Sequence, residues 1–169
     1  MNPDHDPFAT TLVKLRAYAL RPATRRDPAP EELQAFEDEL GVSLPEPYRS
    51  FVQRWGRHAL SSVPRFAFTA AGDPARSAAI SQFFGFSTDG TSDLVHATMQ
   101  TYGGRVPDDT VPIGRDPGAG LLLLGIDGPR RGAVFSWGQG GPSADGVSLV
   151  APSFDDFMQM LTPDPVYDE

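Results

Sequence analysis

One stretch of the chain, residues 40–56, reads LGVSLPEPYRSFVQRWG and carries more structural information than any other. Gly41 is a natural left-handed stop for a preceding helix. Ser43 and Glu46 fit the S-x-x-E capping box, and the prolines on either side of Glu46 are tolerated in the first turn of a helix. The segment therefore predicts the end of one helix, a short connection and a second helix that ends at Gly56.

The residues on both sides of this connection predict two amphipathic helices. The first begins near Pro30, and its positions spaced as one buried face are Leu33, Phe36 and Leu40, while Glu37, Asp38 and Glu39 are predicted to face water. The second helix repeats the pattern with Tyr48, Phe51, Val52 and Trp55. Helices this short need a sheet or other helices to cover their apolar faces, so the local role of the pair is predicted to be structural.

Beyond residue 63 the pattern changes from helical to strand-like. Short apolar runs predict strands at 63–68, 80–86, 111–114, 121–126, 132–137 and 147–150. Turn signals between the last three predict an antiparallel meander. A further helix is predicted to start at Pro7 and to be stopped by Pro22, with residues 21–30 as a proline-rich connection. Two more are predicted, one capped by Thr91 or Ser92 and closed by Gly103-Gly104, and one over 154–161, where Ser153 and Asp156 form a cap.

The separation of helices and strands along the chain predicts an α+β fold. We expect one domain, with a mainly antiparallel sheet of about five to six strands packed with N-terminal, middle and C-terminal helices. Residues 1–29 are expected to form a helix and a Pro- and Arg-rich connection, and residues 30–169 the α+β domain itself.

Length and composition fit a globular protein. A chain of 169 residues can bury roughly 70% of the surface that its unfolded form exposes. The lack of cysteine excludes disulfides and thiolate metal sites. The N-terminus is acidic where a signal peptide is basic, and no apolar run approaches the ~20 residues of a membrane span. We therefore expect a cytoplasmic location and no membrane partner.

The charge balance is acidic, with 22 Asp and Glu against 14 Lys and Arg, for a net charge of −8. An acidic surface repels phosphate groups, which argues against a nucleic-acid partner. It attracts basic proteins and raises their encounter rate. Better solubility alone is the alternative explanation for the same charge.

The sequence contains no catalytic motif that stands by itself. His5, His58 and His96 lack the spacing of metal ligands, and there is no G-x-S-x-G elbow or phosphate loop ending in Gly-Lys-Ser or Gly-Lys-Thr. We predict no catalytic, cofactor-binding or metal-binding residues, and a protein that is not an enzyme. A hydrolase that uses two carboxylates stays open, because only their separation in space decides that possibility.

Five motifs, in the right order, resemble those of the SUKH superfamily, which includes bacterial immunity proteins and a fungal cell-wall-assembly regulator. Together they cover roughly residues 30–161. The five motifs are the helix pair of 39–56, Phe83-Phe84-Gly85, Val111 to Asp116, Gly132 to Trp137, and Ser153 to Phe157. Two positions depart from the family pattern. Ala119-Gly120 stands where the family often has Gly-Asn, and Gly138 stands where an Asp commonly follows the tryptophan, so a groove formed there would be altered.

The resemblance implies an α+β domain whose bacterial members mostly bind and neutralise a cognate toxin, often a nuclease or deaminase. Such an inhibitor needs a complementary surface and no catalytic residues. The alternative, implied by the fungal relative, is a regulatory or scaffold module that binds an endogenous protein.

The functional surface is expected in the acidic, glycine-rich sheet half of the chain. The candidate partner-binding residues are acids and one aromatic at the ends of elements: Asp89, Asp93, Asp108, Asp109, Asp116 and Trp137. For each Asp the alternative role is a helix cap, a turn former or a solvated charge, and for Trp137 it is a place in the core.

Overall fold

A computed structural model describes residues 21–22, 29–46, 48–55, 58–59, 65–69, 75–80, 82–85, 106–116, 120–138 and 147–161. Within them the chain forms three α-helices, α1 (Pro30–Leu40), α2 (Tyr48–Trp55) and α3 (Phe154–Met160). The strands are β1 (Arg21–Pro22), β2 (His58–Ala59), β3 (Arg65–Thr69), β4 (Ala75–Ala79), β5 (Gln82–Phe83), β6 (Thr110–Arg115), β7 (Leu121–Gly125), β8 (Val134–Trp137) and β9 (Val147–Ala151). The α+β fold predicted from the sequence is confirmed.

The main sheet in the described part of the chain has the strand order β5-β6-β7-β8-β9, and every neighbouring pair is antiparallel. Because β6 to β9 pair in chain order, the predicted meander is confirmed. Two further antiparallel ribbons, β1–β2 and β3–β4, lie outside this sheet.

β6 contains a proline although it has a neighbour on each side. Pro112 has no N–H to donate, and proline inside a sheet is confined to edges and bulges. The register of β6 on β7 shifts at this point, with Pro112 opposite Leu123 but Gly114 opposite Leu122. Ile113 is the extra residue, and its carbonyl accepts a hydrogen bond from Phe84 N at 2.9 Å. The bulge therefore accommodates the proline in a central strand.

The core joins both helical regions to the sheet through aromatic contacts. The Tyr48 ring lies edge-on to Phe154, with 5.1 Å between centroids, and connects α2 with α3. Phe51 meets Phe83 of β5 at 5.2 Å. The run Leu121–Leu124 is buried throughout, as a strand covered on both faces requires, which explains why it shows no alternation of apolar and polar residues.

The boundaries of the helix pair follow the sequence in part. α1 begins at Pro30 and ends at Gly41, which is left-handed with φ of 78°, as predicted. α2 begins at Tyr48, later than a capping box at Ser43 predicts. The Glu46 carboxylate accepts a hydrogen bond from Ser50 Oγ at 2.7 Å, so it is engaged within α2.

Other predictions have mixed outcomes. Ser153 Oγ accepts a hydrogen bond from Asp156 N at 3.0 Å, which confirms the cap of α3. β4 was not predicted, because the sequence ARSAA contains no strong strand former and its extended form depends on pairing with β3. Arg21–Pro22 form a strand where the sequence predicts the end of a helix. The rest of that helix, the helix of 92–102 and the side chain of Trp55 lie outside the described residues.

Candidate partner-binding surface

The strand β6 separates the acidic residues that the sequence singles out. Asp108 and Asp109 precede it, and Asp116 follows it. At a rise of about 3.3 Å per residue, the length of β6 puts roughly 20 Å between Asp109 and Asp116. These candidates therefore lie at opposite ends of the sheet and do not form one patch. Asp89 and Asp93 lie outside the described residues.

At the first of these ends, Asp109 has a structural role. Its carboxylate accepts a hydrogen bond from Arg130 Nη1 at 3.3 Å, and its carbonyl accepts one from Ile126 N at 2.8 Å. The Arg130 guanidinium also lies over the Phe135 ring, 5.6 Å from its centroid. Asp108 beside it is exposed, in the turn closed by Thr110 N and Pro107 O.

At the other end of the sheet, Asp116 shapes the connection between β6 and β7. Its Oδ1 accepts a hydrogen bond from Gly120 N at 3.0 Å, and its own N–H donates to Gly120 O at 3.1 Å. Trp137 is partly buried and packs against the core, which agrees with the alternative role considered for it. Asp116 is thus a turn former as well as a candidate contact.

The two positions where the sequence departs from the family pattern differ in their surroundings. A side chain at Gly120 would overlap the Asp116 carboxylate and would come within 3.2 Å of Trp137 O. A Cβ at Gly138 would meet nothing within 4 Å. A side chain at the first position therefore requires the Asp116 carboxylate to move, whereas the second position has space for a side chain.

The buried acid of the described residues is one that the sequence pattern predicts to face water. Glu37 is only 5% exposed. Its Oε2 accepts a hydrogen bond from Leu44 N at 2.7 Å, and its Oε1 pairs with Arg49 Nε at 3.0 Å. The prediction that Glu37 faces water is wrong, because these two partners satisfy the carboxylate inside the helix pair. A signal was present, since Glu37 lies four residues after the buried Leu33 and so shares its face of the helix.

Arg131 attaches the connection between α1 and α2 to the sheet. Its Nη1 donates to Ser43 O at 3.0 Å and to Ile126 O at 2.6 Å. We call this pair of contacts the Arg131 bridge. It places residues 41–46 beside the turn between β7 and β8, at the same end of the sheet as Asp109.

A cleft of about 270 Å³ opens beside this connection. Its lining residues come from the last turns of α1 and from the connection: Gln34, Glu37, Asp38, Gly41, Val42 and Ser43. We call it the α1 cleft. Asp38 is exposed there, and its Oδ1 accepts a hydrogen bond from Gln34 Nε2 at 3.0 Å.

The region around the α1 cleft exposes more negative than positive charge. Exposed acids of α1, of the connection and of the two nearby turns are Glu31, Asp38, Glu39, Glu46, Asp108 and Asp127. Of the described arginines in this region, Arg49 pairs with Glu37 and Arg130 with Asp109, whereas Arg131 donates to two neutral carbonyls and keeps its positive charge. In the described part of this region, exposed carboxylates therefore outnumber the guanidinium groups that have no carboxylate partner.

Two further observations concern the described residues alone. They contain no group of three or more histidine and carboxylate side chains placed to hold a metal ion. None of their helices is both long enough and apolar enough to cross a bilayer.

A capped helix pair, an antiparallel meander and a closing helix define a SUKH-like α+β domain, in agreement with the resemblance of the sequence motifs. Residues 27–160 match the model of the SMI1 / KNR4 family (SUKH-1), and the chain belongs to this family. It is also similar to the SPbeta prophage-derived uncharacterized protein YokK of Bacillus subtilis (strain 168). The two are 24% identical over 153 residues, which span 80% of this chain and 76% of that protein.

The SUKH family includes toxin immunity proteins and the SMI1/KNR4 regulators. Membership of this family therefore indicates that the chain binds a protein partner.

Proposed function

We propose that this protein is a non-catalytic immunity protein, which binds a cognate toxin in the cytoplasm and neutralises it. The toxin is expected to be a basic protein such as a nuclease or deaminase effector. Membership of the SUKH family is the observation on which the proposal depends. An inhibitor of this kind acts by covering its target, so it needs no cofactor and no catalytic group.

The distribution of charge supports a basic partner. The net charge of −8 attracts a positively charged protein over a distance set by ionic strength. Around the α1 cleft, Asp108 and Asp38 are exposed, whereas the nearby arginines are held by acceptors of the same chain. Complementary charge of this kind raises association rates and excludes partners of like charge.

The direct test is co-expression with the product of the toxin gene expected beside this one in the genome. Cells that express the toxin alone should stop growing, and cells that also express this protein should grow. The purified proteins should form a stable complex, measured by titration calorimetry. A toxin that neither binds the protein nor is detoxified by it would contradict the proposal.

The same experiment separates the alternative function, a regulatory or scaffold module. Affinity purification from the native cell would then recover a housekeeping protein at constant stoichiometry, and growth would not depend on a neighbouring toxin gene.

A further inference from the structure

The last turn of α1 has an unusual charge for its place in a helix. The C-terminal end of a helix carries a negative partial charge and favours cations. Here the last turn contains no basic residue and has Asp38 and Glu39 at exposed positions. These acids slightly destabilise α1, so their presence is not explained by the stability of the helix.

The described arginines of this region make no ion pair with Asp38, although Arg131 brings its positive charge to the carbonyl of Ser43. Arg49 is directed to Glu37, one residue before Asp38, and Glu37 is further satisfied by Leu44 N. Asp38 has a neutral donor, Gln34 Nε2, which leaves its negative charge in place. The acid at the mouth of the α1 cleft is therefore hydrogen-bonded but keeps its charge.

The α1 cleft is a shallow, open depression with room for one side chain. Its volume of about 270 Å³ lies below the roughly 300–1,000 Å³ that is usual for drug-sized ligands. Its walls are held in place from both sides, by the bonds of Glu37 to Leu44 and Arg49 and by the Arg131 bridge to Ser43. A cleft that is already formed costs little ordering when a partner enters it.

We propose that the α1 cleft receives an arginine side chain of the protein partner, with Asp38 as the carboxylate that pairs with it. A guanidinium has five N–H donors and no acceptor. The cleft offers matching acceptors in the Asp38 carboxylate, the Gln34 amide oxygen and the Ser43 hydroxyl. The negative end of α1 adds to the attraction. The identity of the partner as a basic toxin rests on the proposed function, but the preference of the cleft for a guanidinium does not.

The preference is tested first on the protein alone, with methylguanidinium chloride as the probe and sodium chloride at equal ionic strength as the reference. In two-dimensional NMR spectra, the Gln34 side-chain amide and the Gly41 and Ser43 N–H groups should show saturable shifts. Asp38→Asn should weaken this binding at least threefold, and Glu39→Gln should leave it within a factor of 1.5. Shifts spread evenly over all exposed carboxylates, or equal effects of the two variants, would overturn the proposal.

The second test uses the toxin and a matched pair of variants, Asp38→Lys and Glu39→Lys. Both change the charge by the same amount in the same turn of α1, but only Asp38 lines the cleft. Asp38→Lys should weaken toxin binding at least tenfold, mainly through faster dissociation, and Glu39→Lys less than threefold. Equal losses, or no loss for Asp38→Lys, would contradict the assignment of the cleft.

The two proposals fail in different ways. If the wild-type protein does not bind the toxin, the proposed function is wrong, and the methylguanidinium titration still decides the preference of the cleft. If the wild-type protein neutralises the toxin and Asp38→Lys does so equally well, the proposed function stands and the cleft is not the contact. Both lysine variants remove an unfavourable charge from the end of α1, so their melting temperatures should equal or exceed that of the wild type.

Discussion

The carboxylate of Glu37 makes two contacts of different kinds, one with the backbone of the connection after α1 and one with the side chain of Arg49 in α2. Leu44 N would otherwise be a buried donor without an intrahelical partner, since α2 begins only at Tyr48. A short side-chain contact to that N–H replaces the capping box that the spacing of Ser43 and Glu46 suggests. Glu37 thus fixes where α2 begins relative to α1.

Removing the Glu37 carboxylate should therefore destabilise the fold. Glu37→Ala leaves Leu44 N without an acceptor, and it leaves Arg49, which is 29% exposed, without its carboxylate partner. We therefore expect the free energy of unfolding to fall by about 2–3 kcal/mol. Glu37→Gln keeps an acceptor for Leu44 N and should cost about 1 kcal/mol. Urea unfolding would show these losses as lower midpoints with an unchanged slope. An Ala variant as stable as the Gln variant would rule out the role of the Leu44 contact.

The glycines at 120 and 138 provide a second pair of residues for comparison. Gly120→Ala would push a methyl group into the Asp116 carboxylate and towards Trp137 O, and should cost about 1–3 kcal/mol. Gly138→Ala meets nothing within 4 Å and should change stability by less than about 0.5 kcal/mol. Thermal unfolding of both variants would measure the difference. Equal melting temperatures would mean that Asp116 moves away at no cost.

Single residues were predicted well where the signal is local. Gly41 as a left-handed stop and Ser153 as a cap depend on neighbours within a few positions, and both are confirmed. The burial of Glu37 depends on Arg49, twelve residues away, and the role of Asp116 depends on a return of the chain to Gly120. Contacts of this kind are decided by tertiary structure, which local spacing does not contain.

At the scale of elements, the Arg131 bridge is a polar contact between the connection of the helix pair and the meander, in addition to the aromatic contacts of the core. It donates to carbonyls in two separate segments, Ser43 O and Ile126 O. Because the connection of residues 41–46 also forms a wall of the α1 cleft, the bridge links the position of the sheet to the shape of the cleft.

Arg131→Ala should lower stability by about 1–2 kcal/mol, through the loss of two charge-assisted hydrogen bonds at a largely exposed site. For a chain of this length that corresponds to roughly 2–8 °C in melting temperature. The backbone amides of Val42, Ser43, Leu44 and Glu46 should exchange with deuterium faster, while those of β7 should not change. Arg131→Lys is the conservative control, and it should recover part of the loss because an ammonium group reaches one carbonyl more easily than both. Unchanged exchange in residues 42–46 would contradict the bridge.

The elements themselves were predictable to the extent that each has its own signal. The apolar runs of β6 to β9 and the turn residues between them predict the meander, and the structure confirms it. β4 has no such signal, since its conformation follows from register with β3, Phe66 opposite Ala78. The bulge at Ile113 was not predicted either, although Pro112 within an apolar run indicates that the strand is irregular there.

At the scale of the whole molecule, the partner-binding candidates stay a prediction, and the structure adds where the described ones lie relative to one another. The sequence directed attention to the sheet half, but its candidates Asp109 and Asp116 lie at opposite ends of β6 and are engaged in turns and ion pairs. The exposed charge of the described residues concentrates instead around the helix pair and the adjacent turns, with Asp38 and Asp108 outward. The net charge can be counted from a sequence, whereas the distribution of charge over the surface depends on the fold.

The exposed acidic residues should raise the rate constant for association with a basic toxin. Asp108→Lys reverses an exposed charge at the end of the sheet nearest the α1 cleft, and should slow association with a basic toxin by roughly two- to fivefold at low salt. The effect should shrink as salt is added. Asp156→Lys on α3 makes the same change in charge elsewhere and serves as the control. An equal effect of both variants would point to net charge alone, and no effect of Asp108→Lys would exclude that end of the sheet from the interface.

The separation of Ser43 and Arg131 along the chain has a consequence for the making of the protein. The two residues joined by the bridge are 88 positions apart. At roughly 5–20 residues per second, a ribosome needs about 4–18 s to add that length. Tyr48 and Phe51 of α2 wait longer still, because Phe154, whose ring contacts both of theirs, is made after Arg131. The buried side chains of the helix pair thus acquire these partners only after α3 has been synthesised.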